Sequence, residues 1–203
     1  MDSGLDLSDP RFTPYLCKKG HRNFTKEPMN DFIGHGTHTF GIITSNTTKK
    51  NYCIVVLKVF GRTGFNSYQS ESLALDYIKS IAPDFVNYSG GGSSPMEKER
   101  QTIESLKNTK FIVAAGNNGE NIGDGTHFYY PASFHYSNVI AVGNLETPMT
   151  RSKSSNYGKF DMVWENGTNI VSTVPYSVSV TGYATMSGTS MASPRHLARL
   201  LND

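Results

Sequence analysis

Little in this chain points towards a membrane or a nucleic acid. No apolar run approaches the roughly 18–20 residues that a membrane-spanning helix needs, and the amino-terminal residues contain no signal-peptide core. Nineteen Lys and Arg residues stand against 17 Asp and Glu, a net charge of +2. No basic run is interleaved with aromatics, so neither phosphate-backbone binding nor a membrane partner is expected. Charged residues make up only 18% of the chain, and neither an internal repeat nor a low-complexity linker divides it. One compact domain over residues 1–203 follows. Cysteine is scarce as well, with only Cys17 and Cys53. Cys53 opens the apolar run CIVVLKVF and reads most simply as a buried small hydrophobe. A Cys17–Cys53 disulfide would need Cα atoms within about 7 Å, which sequence does not decide, so the cysteines leave the compartment open.

What the chain does have is rhythm. The segments 53–60 (CIVVLKVF), 84–89 (DFVNYS), 110–116 (KFIVAAG) and 138–143 (NVIAVG) are nearly continuous in apolar residues. That is the look of strands covered on both faces, as in a parallel sheet. Between the first two lies SYQSESLALDYIKSI, with Leu73, Tyr77, Ile78 and Ile81 at helical spacing. Between the next two lies SSPMEKERQTIESLKN, where Ser94 is placed to cap a helix, Pro95 to begin it, and Met96, Ile103 and Leu106 to form its apolar stripe. The alternation predicts an α/β fold, a mostly parallel sheet with helices on both faces. From about Thr147 the pattern changes to short strands and turns, then a last helix from Thr189 or Ser190.

In such sheets the ligand site lies at the carboxyl ends of the strands. The Gly- and Ser-rich stretches SGGGSS (89–94) and GNNGENIGDG (116–125) fall there. Neither matches a dinucleotide fingerprint or a phosphate loop with its lysine, so no nucleotide cofactor is expected. Four short elements carry chemistry: DSG at 2–4, GHGTH at 34–38, AAGNNG at 114–119 and SGTSMASP at 187–194. They offer a carboxylate, Asp2, an imidazole, His35, an amide donor, Asn117, and a hydroxyl, Ser190. Those are the parts needed to orient a base, activate a nucleophile and hold an oxyanion. The order Asp, His, Ser is neither that of chymotrypsin nor that of the α/β-hydrolases. Taken alone, Ser190 or Thr189 could simply cap the last helix, and His35 with His38 could be read as a metal pair lacking further ligands. A helix start also favours an anion, which suits an oxyanion formed beside Ser190.

With these motifs in that order, the chain resembles the subtilisin family of serine proteases. HGTH and GTSMASP stand as family signatures, and LKVFGRTG, DFVNYSGG, KFIVAAGNNG, YYPASFHYSNVIAVG and GYATMSGTSMASP extend the likeness over nearly the whole chain. The resemblance implies a serine endopeptidase in which Ser190 attacks, His35 is the general base, Asp2 orients it and Asn117 donates to the oxyanion. A catalytically inactive peptide-binding relative is the alternative, although no catalytic position is substituted. The resemblance makes Ser89, Gly90 and Gly91 the edge on which a peptide or protein substrate pairs. Ala115 and Gly116 become the facing wall of the pocket for the side chain before the scissile bond, with Tyr129 at its base. Asn118 implies no strong preference for a basic side chain there, Tyr130–Pro131 matches a position that is often cis, and His38 becomes a supporting residue. No catalytic metal or cofactor is implied. Structural calcium is usual in the family, without an assignable site here. A secreted or extracytoplasmic setting and a pro-region or partner chain are implied too. Against the family pattern the chain reads as truncated at both ends. Only Met1 precedes Asp2 where a strand is usual, and the last helix stops early, with Arg195 and Arg199 on a normally buried helix.

Overall fold

The computed structural model describes residues 1–62, 67–158 and 161–203, so the last two residues of LKVFGRTG lie outside the described residues. The central layer is a sheet. Strands β1 (Arg22–Asn23) and β2 (Leu57–Lys58) pair in parallel. Strands β3 (Phe85–Tyr88), β4 (Lys110–Ala114), β5 (Val139–Thr147) and β7 (Met162–Asn166) form a parallel ladder in that order. A short β6 (Thr150–Arg151) turns back antiparallel onto β5, and β8 (Ile170–Thr173) with β9 (Tyr183–Met186) makes a separate antiparallel hairpin. The helices are α1 (His35–Asn46), α2 (Ser67–Ile81), α3 (Glu97–Ser105) and α4 (Thr189–Asn202). This is the expected α/β architecture.

Alternation along β4 explains both cores. Phe111 and Val113 point to one face and pack with Ile78 of α2 and Ile103 of α3. Ile112 points to the other, among Ile43 of α1 and Ala192 and Leu197 of α4. A strand buried on both faces must be apolar at every position, which is why 110–116 reads as a continuous run.

Four expectations need correction. Of 53–60, only Leu57–Lys58 is a paired strand, because one flank of this segment borders a cavity instead of a neighbour. Helix α3 starts at Glu97 with Met96 at its cap; Ser94 and Pro95 lie before it, exposed. The buried face of α2 is Ser70, Glu71, Ala74, Leu75 and Ile78, while Leu73 and Ile81 are exposed. Two polar residues on the inner face hid that stripe from a hydrophobicity pattern. Finally, Cys53 is an exposed residue bonded to Cys17, with Cα atoms 4.8 Å apart. The Leu16–Ile54 bridge brings the two segments side by side, so the thiols meet at the surface.

Candidate active site

The site is assembled where α1 and α4 begin, above the carboxyl ends of the strands. Asp2 enters as a rung of the sheet: its N–H donates to the Leu57 carbonyl at 3.0 Å and its carbonyl accepts from the Val59 N–H at 2.9 Å. The carboxylate is thereby aimed at α1, where Asp2 Oδ1 lies 2.7 Å from His35 Nδ1. Ser3 N–H and Thr39 Oγ1–H also donate to it. Burial opposes charge on Asp2, but His35, the Met1 ammonium and the Ser3 N–H outweigh it and hold the carboxyl below its ordinary range. Reciprocally, the Asp2 charge raises His35 above its ordinary 6.5, against the opposing effect of burial.

His35 is the first residue of α1, and Asp31 builds that helix start. Buried Asp31 accepts from the N–H groups of Ile33, Gly34 and Thr37 and from the hydroxyls of Thr37 and Ser3. The Ser3 hydroxyl in turn accepts from Gly36 N–H at 2.8 Å. A Cβ on Gly36 would lie 2.6 Å from the Gly4 carbonyl, so DSG and GHG lock together only because that side chain is absent. His38, one turn on and fully buried, presents Nε2 to the carbonyls of Ile170 and Ala184, tying α1 to the β8–β9 hairpin. Its partners are thus backbone carbonyls. Among the described residues no group of three or more His, Cys, Asp or Glu is placed to hold a metal. His21, His127 and His196 are each hydrogen-bonded elsewhere, to Cys17, Asp124 and Glu165.

At the other wall, Asn117 Oδ1 accepts from both the N–H and the hydroxyl of Thr189, at 3.0 and 3.1 Å. With its carbonyl oxygen committed, the exposed Asn117 side chain keeps its two Nδ2 donors for a ligand. Thr189 Oγ1 also accepts from Gly116 N–H. Asn156 fixes the rest of the loop: Nδ2 donates to the Ala115 carbonyl, while Oδ1 accepts from the N–H groups of Asn118 and Glu120. Gly116 adopts φ +95°, and a Cβ there would collide with the Asn156 amide and the Tyr129 ring. The same ring abuts Gly91 from the opposite side. Tyr129 therefore sits between the two expected substrate walls, one residue ahead of the cis peptide Tyr130–Pro131.

Ser190 lies in the first turn of α4, behind Gly188. Pro194, four residues on, has no N–H to give back to the Ser190 carbonyl. The freed carbonyl accepts instead from the Ser89 hydroxyl at 3.0 Å, and the Ser190 hydroxyl donates to the Ser89 carbonyl at 3.0 Å. Asn87 Nδ2 holds Ser89 Oγ, and Ser193 Oγ–H donates to Asn87 Oδ1. The sequence placed Ser190 and Ser89 in one site; this reciprocal bond is what joins them. The Ser190 hydroxyl is thus turned to Ser89, not to an imidazole.

The sequence reading gave Asp31, Ser3 and Asn156 no role in the site. Ser3 lay inside the DSG motif, and Asp31, four residues before His35, carried a signal as a cap-type residue just ahead of a helix.

The profile of the subtilase family matches residues 1–199, almost the entire chain. The chain belongs to the subtilase family. This subtilase is 30% identical to the major intracellular serine protease of Bacillus subtilis (strain 168), over 96% of the chain and 63% of that protein. It is 32% identical to subtilisin DY of Bacillus licheniformis, over 83% of the chain and 62% of that protein. It therefore spans less than two thirds of these curated relatives. Among solved structures, a cold-adapted subtilisin-like serine proteinase superposes with a TM-score of 0.77 at 25% identity, over 96% of this chain and 69% of that one. A lanthipeptide protease superposes with a TM-score of 0.79 at 22% identity, over 99% and 70%, a likeness of fold.

Proposed function

We propose that this subtilase is a serine endopeptidase working through an acyl-enzyme on Ser190, with peptide or protein substrates. The observation that carries the reading is the 2.7 Å bond from Asp2 to His35 Nδ1. It holds the imidazole in the tautomer whose Nε2 is free to take a proton. In this reading the Ser190 hydroxyl leaves the Ser89 carbonyl, passes its proton to His35 and attacks the substrate carbonyl. The oxyanion is received by the Ser190 N–H, at the positive end of α4, and by Asn117 Nδ2. His35 then returns the proton to the departing amine, and water repeats the sequence on the acyl-enzyme. Ser89–Gly91 pairs with the substrate main chain, which every peptide offers alike. Tyr129 between Gly91 and Gly116 makes the adjoining pocket shallow and favours small side chains. The Cys17–Cys53 disulfide supports an oxidising compartment, where such bonds persist.

A second reading, an inactive peptide-binding module, is favoured by the Ser190 hydroxyl bonding Ser89. A fluorophosphonate probe separates the two. The protease reading expects an adduct on Ser190 that is lost in His35→Ala; a folded protein that never labels yet still binds peptides establishes the second.

A further inference from the structure

The β8–β9 hairpin presents an uncharged, apolar surface to solvent. From Asn166 to Pro194 the sequence has no Asp, Glu, Lys, Arg or His. Twelve large apolar side chains are exposed among the described residues, and five of them lie between Val171 and Tyr183. Exposed apolar residues scattered singly need no explanation, but a cluster of them marks a contact surface. Val180, at the tip, is 92% exposed.

The tip is held in one shape beside His35. Val174 N–H donates to the Gly182 carbonyl, Val178 and Ser179 N–H to the Pro175 carbonyl, and Gly182 N–H to the Ser179 carbonyl. Below it, the Ser172 and Thr173 hydroxyls donate to the carbonyls of His38 and Thr37, fastening the strand to α1. Arg11 donates to the Gly182 and Val174 carbonyls, with its guanidinium over the Tyr176 ring. A Cβ on Gly34 would stand 3.2 Å from Val178 and 3.4 Å from Val174, so the tip rests on the residue just before His35. Val174 is fully buried there, whereas Val178 remains exposed, as does Ile33 on the near side of Gly34.

We propose that Ile33, Val178 and Val180 bind the part of the substrate that follows the scissile bond, and that they select uncharged apolar side chains there. On the protease reading, from which this follows, the departing amine must come within hydrogen-bond reach of His35 Nε2 to take its proton. The segment behind that amine therefore leaves over His35 and its neighbours, away from Ser89–Gly91. An extended chain advances about 3.3 Å per residue, so the second and third residues after the bond are the first to clear the imidazole. A leucine there would take its own surface and that of the valines out of water. A charged side chain would find no counter-ion between residues 166 and 194. Because the tip is already fixed, little ordering opposes binding. Three side chains fall short of the roughly 800 Å² per partner that a stable dimer buries, which favours a peptide over a second copy.

Three capped octapeptides test this. Each has alanine at the four positions before the bond and the first after it, then Leu-Leu, Ser-Ser or Asp-Asp, then glycine. With the active chain, and the cut located by mass spectrometry, kcat/KM should be about tenfold higher for the leucine peptide than for the serine one, and lowest for the aspartate one. With the full chain carrying Ser190→Ala, which cannot cut, the leucine peptide should bind about tenfold tighter than the serine one. It should also shift the methyl resonances of Ile33, Val178 and Val180. Val180→Ser and Ile33→Ser, both at exposed positions, should each shrink these ratios to about threefold. Equal rates and affinities, no binding of any peptide, or a leucine advantage untouched by both substitutions would overturn the inference. So would a dimer, or binding to phosphatidylcholine vesicles, that the same substitutions abolish, since the surface would then have another occupant. Fluorophosphonate labelling of the unaltered chain reads the protease proposal separately. A chain that labels but shows no preference loses this inference alone; one that never labels yet binds with the preference loses only the catalytic reading.

Discussion

Asp2 and His35 answer to each other through one short hydrogen bond, and the consequence is a displaced titration. The Asp2 charge is the largest influence on His35 and lifts it above 6.5. A general base must be neutral, so Ser190 labelling should rise with pH through a midpoint above that value rather than at it. Asp2→Asn removes the lifting charge and leaves the wrong tautomer available. The midpoint should move down, and the plateau rate should fall by about 10⁴. A pH–rate profile of fluorophosphonate labelling reads both, and an unmoved midpoint would contradict the assignment. At this scale the sequence was most informative. Asp2, His35, Asn117 and Ser190 each sit in consecutive-residue motifs, whose spacing survives in one dimension. Asp31 and Asn156 matter as much to the site's shape, but each is a lone polar residue. Its partners, Ser3 and Thr37 for one, Ala115 and Asn118 for the other, come together only on folding.

Among the elements, α4 and the carboxyl pair between α2 and α3 lend themselves to experiment. Pro194 frees the Ser190 carbonyl for Ser89, so the two residues should be coupled. Ser89→Ala should cost about 1–2 kcal/mol, because it strands a carbonyl and the Asn87 amide. In a Pro194→Ala background, where residue 194 regains an N–H for that carbonyl, the cost should shrink. A double-mutant cycle in urea measures the difference, and strict additivity would refute the link. Glu71 and Glu99 face each other beside Tyr88, all three buried. Burial first, then the neighbouring Glu71, pushes Glu99 up to about 9 from its ordinary 4.5. The folded chain therefore binds a proton that the unfolded chain has released between those values, and stability falls as pH rises across that window. Glu99→Gln should flatten Tm against pH from 5 to 9 and raise it at pH 8; a parallel curve would disprove the linkage. Glu71 of that pair, with Ser70 beside it, explains why the α2 stripe misled. Where polar side chains occupy inward positions, hydrophobic periodicity points to the wrong face, although the helix itself was legible from its length and spacing.

For the molecule as a whole, the α/β rhythm was readable because central strands are apolar throughout. Its edges were not, since what a strand pairs with depends on distant segments. The run 53–60 illustrates this: one flank pairs with residues 15–24, the other meets a cavity. Cys17–Cys53 fastens that region. Closing a loop with a sequence separation of 36 residues stabilises by about 3–4 kcal/mol on chain-entropy grounds. Reduction with a phosphine should accordingly lower Tm by several degrees, and an unchanged Tm would mean the loop is held without it. The mounting of Asp2 has a bearing on durability. Its main chain is anchored to Leu57 and Val59, beside the two-residue β1–β2 pairing and apart from the longer β3–β4–β5 ladder. Heat should loosen this corner before it melts the β3–β4–β5 ladder. Loss of Ser190 labelling should therefore run several degrees ahead of the loss of circular dichroism, the site wearing out before the fold, and coincident transitions would contradict this.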